Sequence, residues 1–305
     1  MKVFVTGATG AIGTYVVPLL VQAGHDVTAL ARSPEKAARL EAAGVRPVAD
    51  VSLFDAVALK DAFADVEVVA NLATAIPTVS KAVRASAWAD HNRIRTEGSR
   101  AVVDAALAAR VDRVIQESIT FIYADAGDAW IDETSAVDCP PPFASTLDAE
   151  ASAARFAQER DAVVLRFAGF YGPHSHHTDV FMRAARRHIA PIVGRGRDHV
   201  SSIHLRDAAS AVVAALHAPP GTYDVGDDEP VTKKELGHAL GAAVGKRPWF
   251  ASPGRLGVLA GKSSALLRRS QRISNRKLRS ATGWAPTYPS VREGYAATVK
   301  EMTDA

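Results

Sequence analysis

The first thirteen residues constrain the fold more than any other stretch. Lys2, Val3, Phe4, Val5 and Thr6 are mostly β-branched or aromatic and read as a short buried strand. Gly7, Gly10 and Gly13 follow at once, spaced Gly-x-x-Gly-x-x-Gly, and an apolar helical pattern covers residues 11–23. A strand turned into a helix through closely spaced glycines is the geometry that holds the pyrophosphate of a dinucleotide. Gly7 permits the tight turn, Gly10 lets the backbone approach the phosphates, and Gly13 lets helix and sheet pack closely. Unbonded N–H groups at the helix start, with roughly half a positive charge, attract the anion. The expected cradle is Gly7, Thr9, Gly10, Ala11, Ile12 and Gly13.

Strands and helices then alternate. Residues 26–30 and 45–48 read as strands around a helix at 34–43, and 66–72 as a fourth strand after a helix at 53–63. A long helical pattern at 88–109, a fifth strand at 112–117 and a sixth from residue 163 continue the series. This order predicts a doubly wound parallel α/β sheet, with the ligand across the carboxyl ends of its strands. The expected division is a dinucleotide-binding domain at 1–168 and a smaller lobe at 169–305, with 195–225 a candidate to return to the sheet. In the lobe, Thr232 and Glu235 have capping-box spacing, and 256–269 and 291–302 read as helices.

Cofactor choice is expected at the end of the second strand. An acid there bonds the ribose 2′-hydroxyl of NAD(H), whereas an Arg accommodates the 2′-phosphate of NADP(H). Arg32 stands at that end, Asp26 comes too early and Glu35 too late, so NADP(H) is preferred over NAD(H).

Composition narrows the partners. A net charge of +3 is too small to imply nucleic acid, and the basic run Arg268, Arg269, Arg272, Arg276, Lys277 and Arg279 reads as a solvated helix face. The single cysteine, Cys139, forms no internal disulfide and no metal cluster. No apolar run reaches the length of a membrane span and no signal segment precedes the first strand, so a cytoplasmic location is expected.

The glycine loop resembles that of the short-chain dehydrogenase/reductase superfamily, in its extended and atypical branches that include the epimerase/dehydratases. The likeness runs to about residue 230. It implies that Asp50 and Val51 lie against the adenine. Asn71, Leu72, Ala73 and Thr74 resemble the family's "His-Leu-Ala-Ala" beside the cofactor. Residues 113–123 resemble "Arg-Phe-Val-Tyr-Ala-Ser-Ser-x-x-Val-Tyr-Gly", placing Ser118 by the cofactor and Ile119 at the usual catalytic Ser. Residues 163–173 resemble the segment lining the nicotinamide, with Phe167 and Gly169 in it. The family also pairs through a four-helix bundle, here 88–109 with 145–159, which allows a homodimer.

The catalytic pair of the superfamily, Tyr-x-x-x-Lys, is missing. The residues four beyond Tyr15, Tyr123, Tyr171, Tyr223, Tyr288 and Tyr295 are Leu19, Gly127, Ser175, Asp227, Arg292 and Val299. In the family's register Pro142 stands where the Tyr is expected and Thr146 where the Lys is. Substitute proton donors are Thr120, Tyr123 and Tyr171, with His174, His176, His177 and His204 as further candidates and Glu117 an acid only if burial raises its pKa. Phe121, Phe170 and His174 are expected to line an apolar substrate pocket, joined by Trp249 and Phe250. His204 reads as a packed strand end and Asp207 as the cap of the helix after it. The expected function is an NADP(H)-dependent oxidoreductase acting on a small apolar carbonyl or enone. Alternatives are a catalytically degenerate NADP(H)-binding redox sensor or partner-binding protein, and a sugar-nucleotide epimerase/dehydratase-like enzyme.

Overall fold

A computed structural model of the chain describes residues 1–78, 81–82, 84–173, 175–190, 194–248, 250–251 and 268–304. Seven parallel strands make the central sheet: β1 (Lys2–Thr6), β2 (Asp26–Leu30), β3 (Arg46–Val48), β4 (Val68–Asn71), β5 (Arg113–Ile119), β6 (Asp161–Phe167) and β7 (Gly221–Val225). Their order is β7-β6-β5-β4-β1-β2-β3, so the chain reverses direction between β1 and β4 and opens a crevice at their carboxyl ends.

The strands alternate apolar residues onto two buried faces. Val5, Ile115 and Leu165 join one core beneath helices α1 (Gly13–Gln22) and α8 (Leu205–Ala215). Phe4, Val69 and Val114 join the other, beneath α3 (Ala56–Ala62), α5 (Ser99–Ala108) and α6 (Ala144–Phe156). Helix starts are set locally. Ser33 accepts from the Lys36 N–H at 3.3 Å to open α2 (Pro34–Ala42), and Asp55 accepts from Val57 and Ala58 to open α3.

The predicted helix at 88–109 is a rod of several kinds of turn. A 3-10 turn at Ala85–Trp88 leads into α4 (Ala89–Arg93), a π turn at Ile94–Gly98, and then α5.

Beyond β6 the chain builds a second layer from α7 (His176–Arg186), α9 (Lys233–Ala243), α10 (Arg276–Thr282), α11 (Val291–Asp304) and short strand pairs such as Gly169–Tyr171 with Ser202–His204. It returns to the sheet between these elements, since α8 packs beside α1 and β7 pairs with β6. The capping box is present: Thr232 accepts from the Glu235 N–H, and Glu235 accepts from the Thr232 N–H at 2.8 Å. The expected helix at 256–269 falls almost wholly outside the described residues.

Two expectations are corrected. His204, not Asp207, caps α8, its Nδ1 accepting from the Arg206 N–H at 3.1 Å. Asp207 instead accepts from the N–H groups of Thr287 and Tyr288 at 2.8 and 3.0 Å, tying the turn before α11 to α8. The late basic run is a solvated helix face only in part: Arg276, Lys277 and Arg279 are exposed on α10, whereas Arg269 and Arg272 are half-buried. Arg269 pairs with Asp138 and Arg279 with Asp228, each at 2.6 Å, while Lys277 donates to Thr222 O and Arg272 stacks on Trp130.

Candidate functional site

The turn after β1 closes because two of its glycines lack a side chain. Gly7 has φ +70°, and a Cβ there would stand 2.6 Å from Leu72 O, the residue that follows β4. A Cβ on Gly13 would run into Gly7 O and stand 2.6 Å from Ala8 C. Gly13 thus fits helix to loop, a closer contact than the helix-to-sheet packing expected of it. Helix α1 starts with no side-chain cap and no acid in its first turn. Among the described residues nothing accepts from the N–H groups of Ala11 and Ile12. Exposed Gly10 and Ala11 and half-buried Thr9 border these donors. The cradle therefore fits an anion such as a pyrophosphate.

Around it, Leu72 is buried and Ala73 and Thr74 are half-buried, so small residues pass beside the loop. At the end of β2, Arg32 is exposed and has no ion-pair partner among the described residues. Glu35, the nearest acid in sequence, is held by Arg39 at 2.7 Å. Asp50 is exposed with φ +60°, and Val51 beside it is half-buried.

The end of β5 is cross-linked. Ser118 Oγ donates to Glu150 Oε1 at 2.5 Å, and Glu150 is gripped through both oxygens by Arg166 at 2.8 and 2.7 Å. Arg166 also donates to the Tyr123 hydroxyl at 2.7 Å, which in turn donates to Asp224 at 2.9 Å. This network joins β5, α6, β6 and β7. Burial pushes the Tyr123 phenol and the Asp224 carboxyl above their usual ranges, reinforced by Asp224 on the phenol and by Glu133 on the carboxyl.

Both candidate tyrosines are buried. Tyr123 is fully enclosed. Tyr171 packs against Tyr295, ring centroids 4.7 Å apart, and lies so close to Gly294 that no Cβ fits there. Burial also drives the Tyr171 phenol upward. Thr120 opens the turn after β5 and is almost wholly buried, its carbonyl taking a 3.4 Å bond from Gln271.

Aromatic rings gather beside this edge. Phe121 and Phe143 lie 6.0 Å apart, Phe143 and Trp88 5.2 Å, and Trp88 and His91 5.3 Å. Phe170 packs on buried Phe167 at 5.2 Å, and a Cβ on Gly169 would touch the Phe121 ring at 3.5 Å. His174 and Trp249, and the Phe250 side chain, lie outside what is described. Sequence reasoning missed Trp88 and Phe143. The available signal was their position at the openings of the two helical segments, 88 in the rod and 143 three residues before Thr146.

Beneath the rings lies a buried ion pair. Arg95, on the π turn, donates to Glu117 Oε2 at 2.5 Å, to Glu117 O at 3.3 Å and to His91 Nε2 at 3.2 Å. Burial raises the Glu117 carboxyl, as the sequence reading required of an acid, and the Arg95 charge opposes that rise.

A family model for the NAD dependent epimerase/dehydratase family matches residues 3–226. The chain belongs to that family. Among curated members, "3-diazoavenalumate denitrifying reductase" of a Streptomyces species is 32% identical over 305 residues, covering 96% of this chain and 99% of the relative. "2-alkyl-3-oxoalkanoate reductase" of Shewanella oneidensis is 26% identical, over 90% of this chain and 73% of the relative. Among solved structures, MoeE5 in complex with UDP-glucose and NAD superimposes with TM-score 0.78 at 23% identity, over 100% of this chain and 99% of that one, and shares the fold. Family membership and the reductases among its relatives make this chain an NAD(P)-dependent oxidoreductase-like enzyme.

Proposed function

We propose that the chain is an NADP(H)-dependent reductase of a small apolar carbonyl or enone. The observation that carries this reading is the group of rings, Phe121, Phe143 and Trp88, at the end of β5 in a chain that opens with a dinucleotide cradle. The N–H groups of Ala11 and Ile12 would hold the pyrophosphate, with Gly7, Thr9, Gly10 and Gly13 shaping the turn. Arg32 would take the 2′-phosphate, Asp50 and Val51 the adenine, and Leu72, Ala73 and Thr74 a ribose. Ser118, Phe167 and Gly169 would border the nicotinamide, which when bound supplies a hydrogen with its electron pair. Phe121 and Phe170, joined by His174, would face the substrate. All three candidate donors are buried; Thr120, next to Phe121 in the turn after β5, would hold the carbonyl oxygen, while Tyr123 and Tyr171 would act as internal cross-links.

A second reading follows from the Streptomyces relative, named for a diazo compound and for loss of its nitrogen. A carbonyl takes up one proton for every alcohol formed. An aryl diazonium ion that gains a hydrogen with its electron pair leaves as an arene and dinitrogen, and takes up none. A site with Pro142 and Thr146 in place of Tyr and Lys suits that demand.

NADPH consumption tests both. With 4-phenyl-3-buten-2-one or menadione the first reading predicts loss of NADPH in step with reduced product. With a benzenediazonium salt the second predicts arene and dinitrogen. Stoichiometric NADPH binding without turnover of any of these identifies a sensor, and preferential turnover of UDP-glucose overturns the apolar-substrate assignment.

A further inference from the structure

The turn 226–230, after β7, is tied to three other segments. Its Asp227 N–H donates to Ser202 O at 2.8 Å, and its Glu229 N–H donates to Pro289 O at 2.9 Å. Asn275 donates to Gly226 O and to Asp228 Oδ1, each at 2.8 Å. Within this knot Asp227 is only 2% exposed. Its Oδ1 is buried and has no hydrogen-bond partner among the described residues.

The groups that face Asp227 are acids and phenols. Asp207 comes from α8, Asp228 from the same turn, Glu293 and Tyr295 from α11, and Tyr171 from the strand Gly169–Tyr171. The three acids have partners of their own. Asp207 accepts from the Thr287 and Tyr288 N–H groups, Asp228 from Arg279 at 2.6 Å, and Glu293 from Ser290 at 2.6 Å. The arginines of α8 and α11 pair elsewhere, Arg206 with Glu301 at 3.8 Å and Arg292 with Glu229 and Glu235 at 3.2 and 3.1 Å. His204, in register with Tyr171, brings no charge, its pKa held down to about 4 by burial and by Arg206. A carboxylate enclosed without a cation gives up its charge and keeps its proton. Burial, with Asp207, Asp228 and Glu293 around it, accordingly lifts the Asp227 carboxyl well above its usual range, and a hydrogen bond from Tyr171 opposes the rise.

The same carboxyl lies where two closely fitted elements join. Tyr171 and Tyr295 stack at 4.7 Å, and Tyr171 leaves no room for a Cβ at Gly294 of α11. We propose that Asp227 is a proton-operated latch. With its proton on, the turn 226–230 closes on the strand Gly169–Tyr171 and the head of α11. With the proton lost, its charge meets Asp207, Asp228 and Glu293 in a dry interior and parts α11 from that strand. Tyr171 leads directly into Gly172 and Pro173, so opening loosens the base of the segment that reaches α7. Neither cofactor nor substrate enters this device.

Because the folded pKa lies above the ordinary 3.8, the stability it lends is complete below pH 3.8 and is lost as pH rises through the folded value. Thermal melts of the full chain between pH 4 and 9 read this loss. Asp227→Asn keeps the shape without the charge. It is expected to melt with wild type at pH 4 and about 4 °C or more above it at pH 8. Asp227→Ala melts lower throughout but is expected to show the same flattened pH dependence, and it decides the matter if the amide does not fit. Asp224 shifts stability in the same sense, but it is present in every chain compared. A wild-type pH slope in either variant overturns the proposal. Hydrogen exchange of the wild-type chain locates the change without any substitution. Corrected for intrinsic rates, protection is expected to fall from pH 6 to 9 in residues 226–230 and 287–304 and to hold in β1 and β4. An equal fall in all of them, or none in any, overturns the latch.

Discussion

At Gly13 a single methyl group decides whether the phosphate turn can close. Gly13→Ala would drive its Cβ into Gly7 O, with an expected cost of about 1–3 kcal/mol in stability and loss of nucleotide binding, read by thermal melting and calorimetry. Under the proposed assignment Arg32 would act at the same scale, on cofactor choice rather than fold. Arg32→Ala is expected to weaken NADPH about tenfold or more through loss of a charge-assisted bond, and to leave NADH unchanged. His91 carries a pH signature. Its folded pKa, about 3, lies below the ordinary 6.5, so the stability it contributes is complete above pH 6.5 and drains away as pH falls toward 3. His91→Phe should flatten that acid limb by up to about 1.4 kcal/mol per pH unit, measured by denaturant melts between pH 6.5 and 4. The buried carboxyl of Asp224 works in the opposite sense, because its raised pKa lends stability at low pH that is lost as pH rises above the ordinary 3.8. Single residues were legible in the sequence where backbone geometry dictates them, as at Gly7. They were not where a distant partner decides. Nothing local to Tyr123 announces Arg166 or Asp224, and nothing local to Glu117 announces Arg95.

Elements were easier to read than their partners. Strands β1, β2, β4 and β6 were visible as apolar runs, and the Thr232–Glu235 spacing foretold a helix start that the structure contains. The π turn at Ile94–Gly98 was invisible, since its helical periodicity differs from that of its flanks by only one residue. Two-residue strands such as Trp130–Ile131 escaped too, because their pairing with Arg272–Ile273 is settled by contacts more than a hundred residues away. The edge strand β7 shows how such remote contacts act. Its outer Asp224 N–H donates to Glu133 at 2.8 Å and its Thr222 carbonyl accepts from Lys277 at 2.7 Å, so side chains cover groups that would otherwise recruit another strand. Glu133→Ala combined with Lys277→Ala is expected to raise aggregation on heating, followed by light scattering, with little change in NADPH affinity.

In the whole molecule, the second layer is tied to the sheet beyond the end of β5. The strap 269–275 is stitched there: Arg269 donates to Tyr123 O and Asp138 O at 2.7 and 2.6 Å, and Gln271 donates to Tyr123 O at 2.9 Å. The turn bearing Thr120 and Phe121 is thus fixed from the far end of the chain. Alternation of strand and helix was enough to foresee the sheet, whereas this stitching depends on polar side chains whose targets are backbone carbonyls. The expected cofactor cradle was read from backbone turns, the same signal that gave the fold. The chemical half is made of side chains from four separate segments. Among the described residues no helix is long and apolar enough to cross a membrane.

The most direct measurement is a calorimetric titration of the wild-type chain with NADPH and, separately, with NADH. One-to-one binding of NADPH, at least tenfold tighter than NADH, is the expected result. No heat with either nucleotide would contradict the central claim that the opening glycine turn holds a phosphorylated nicotinamide dinucleotide.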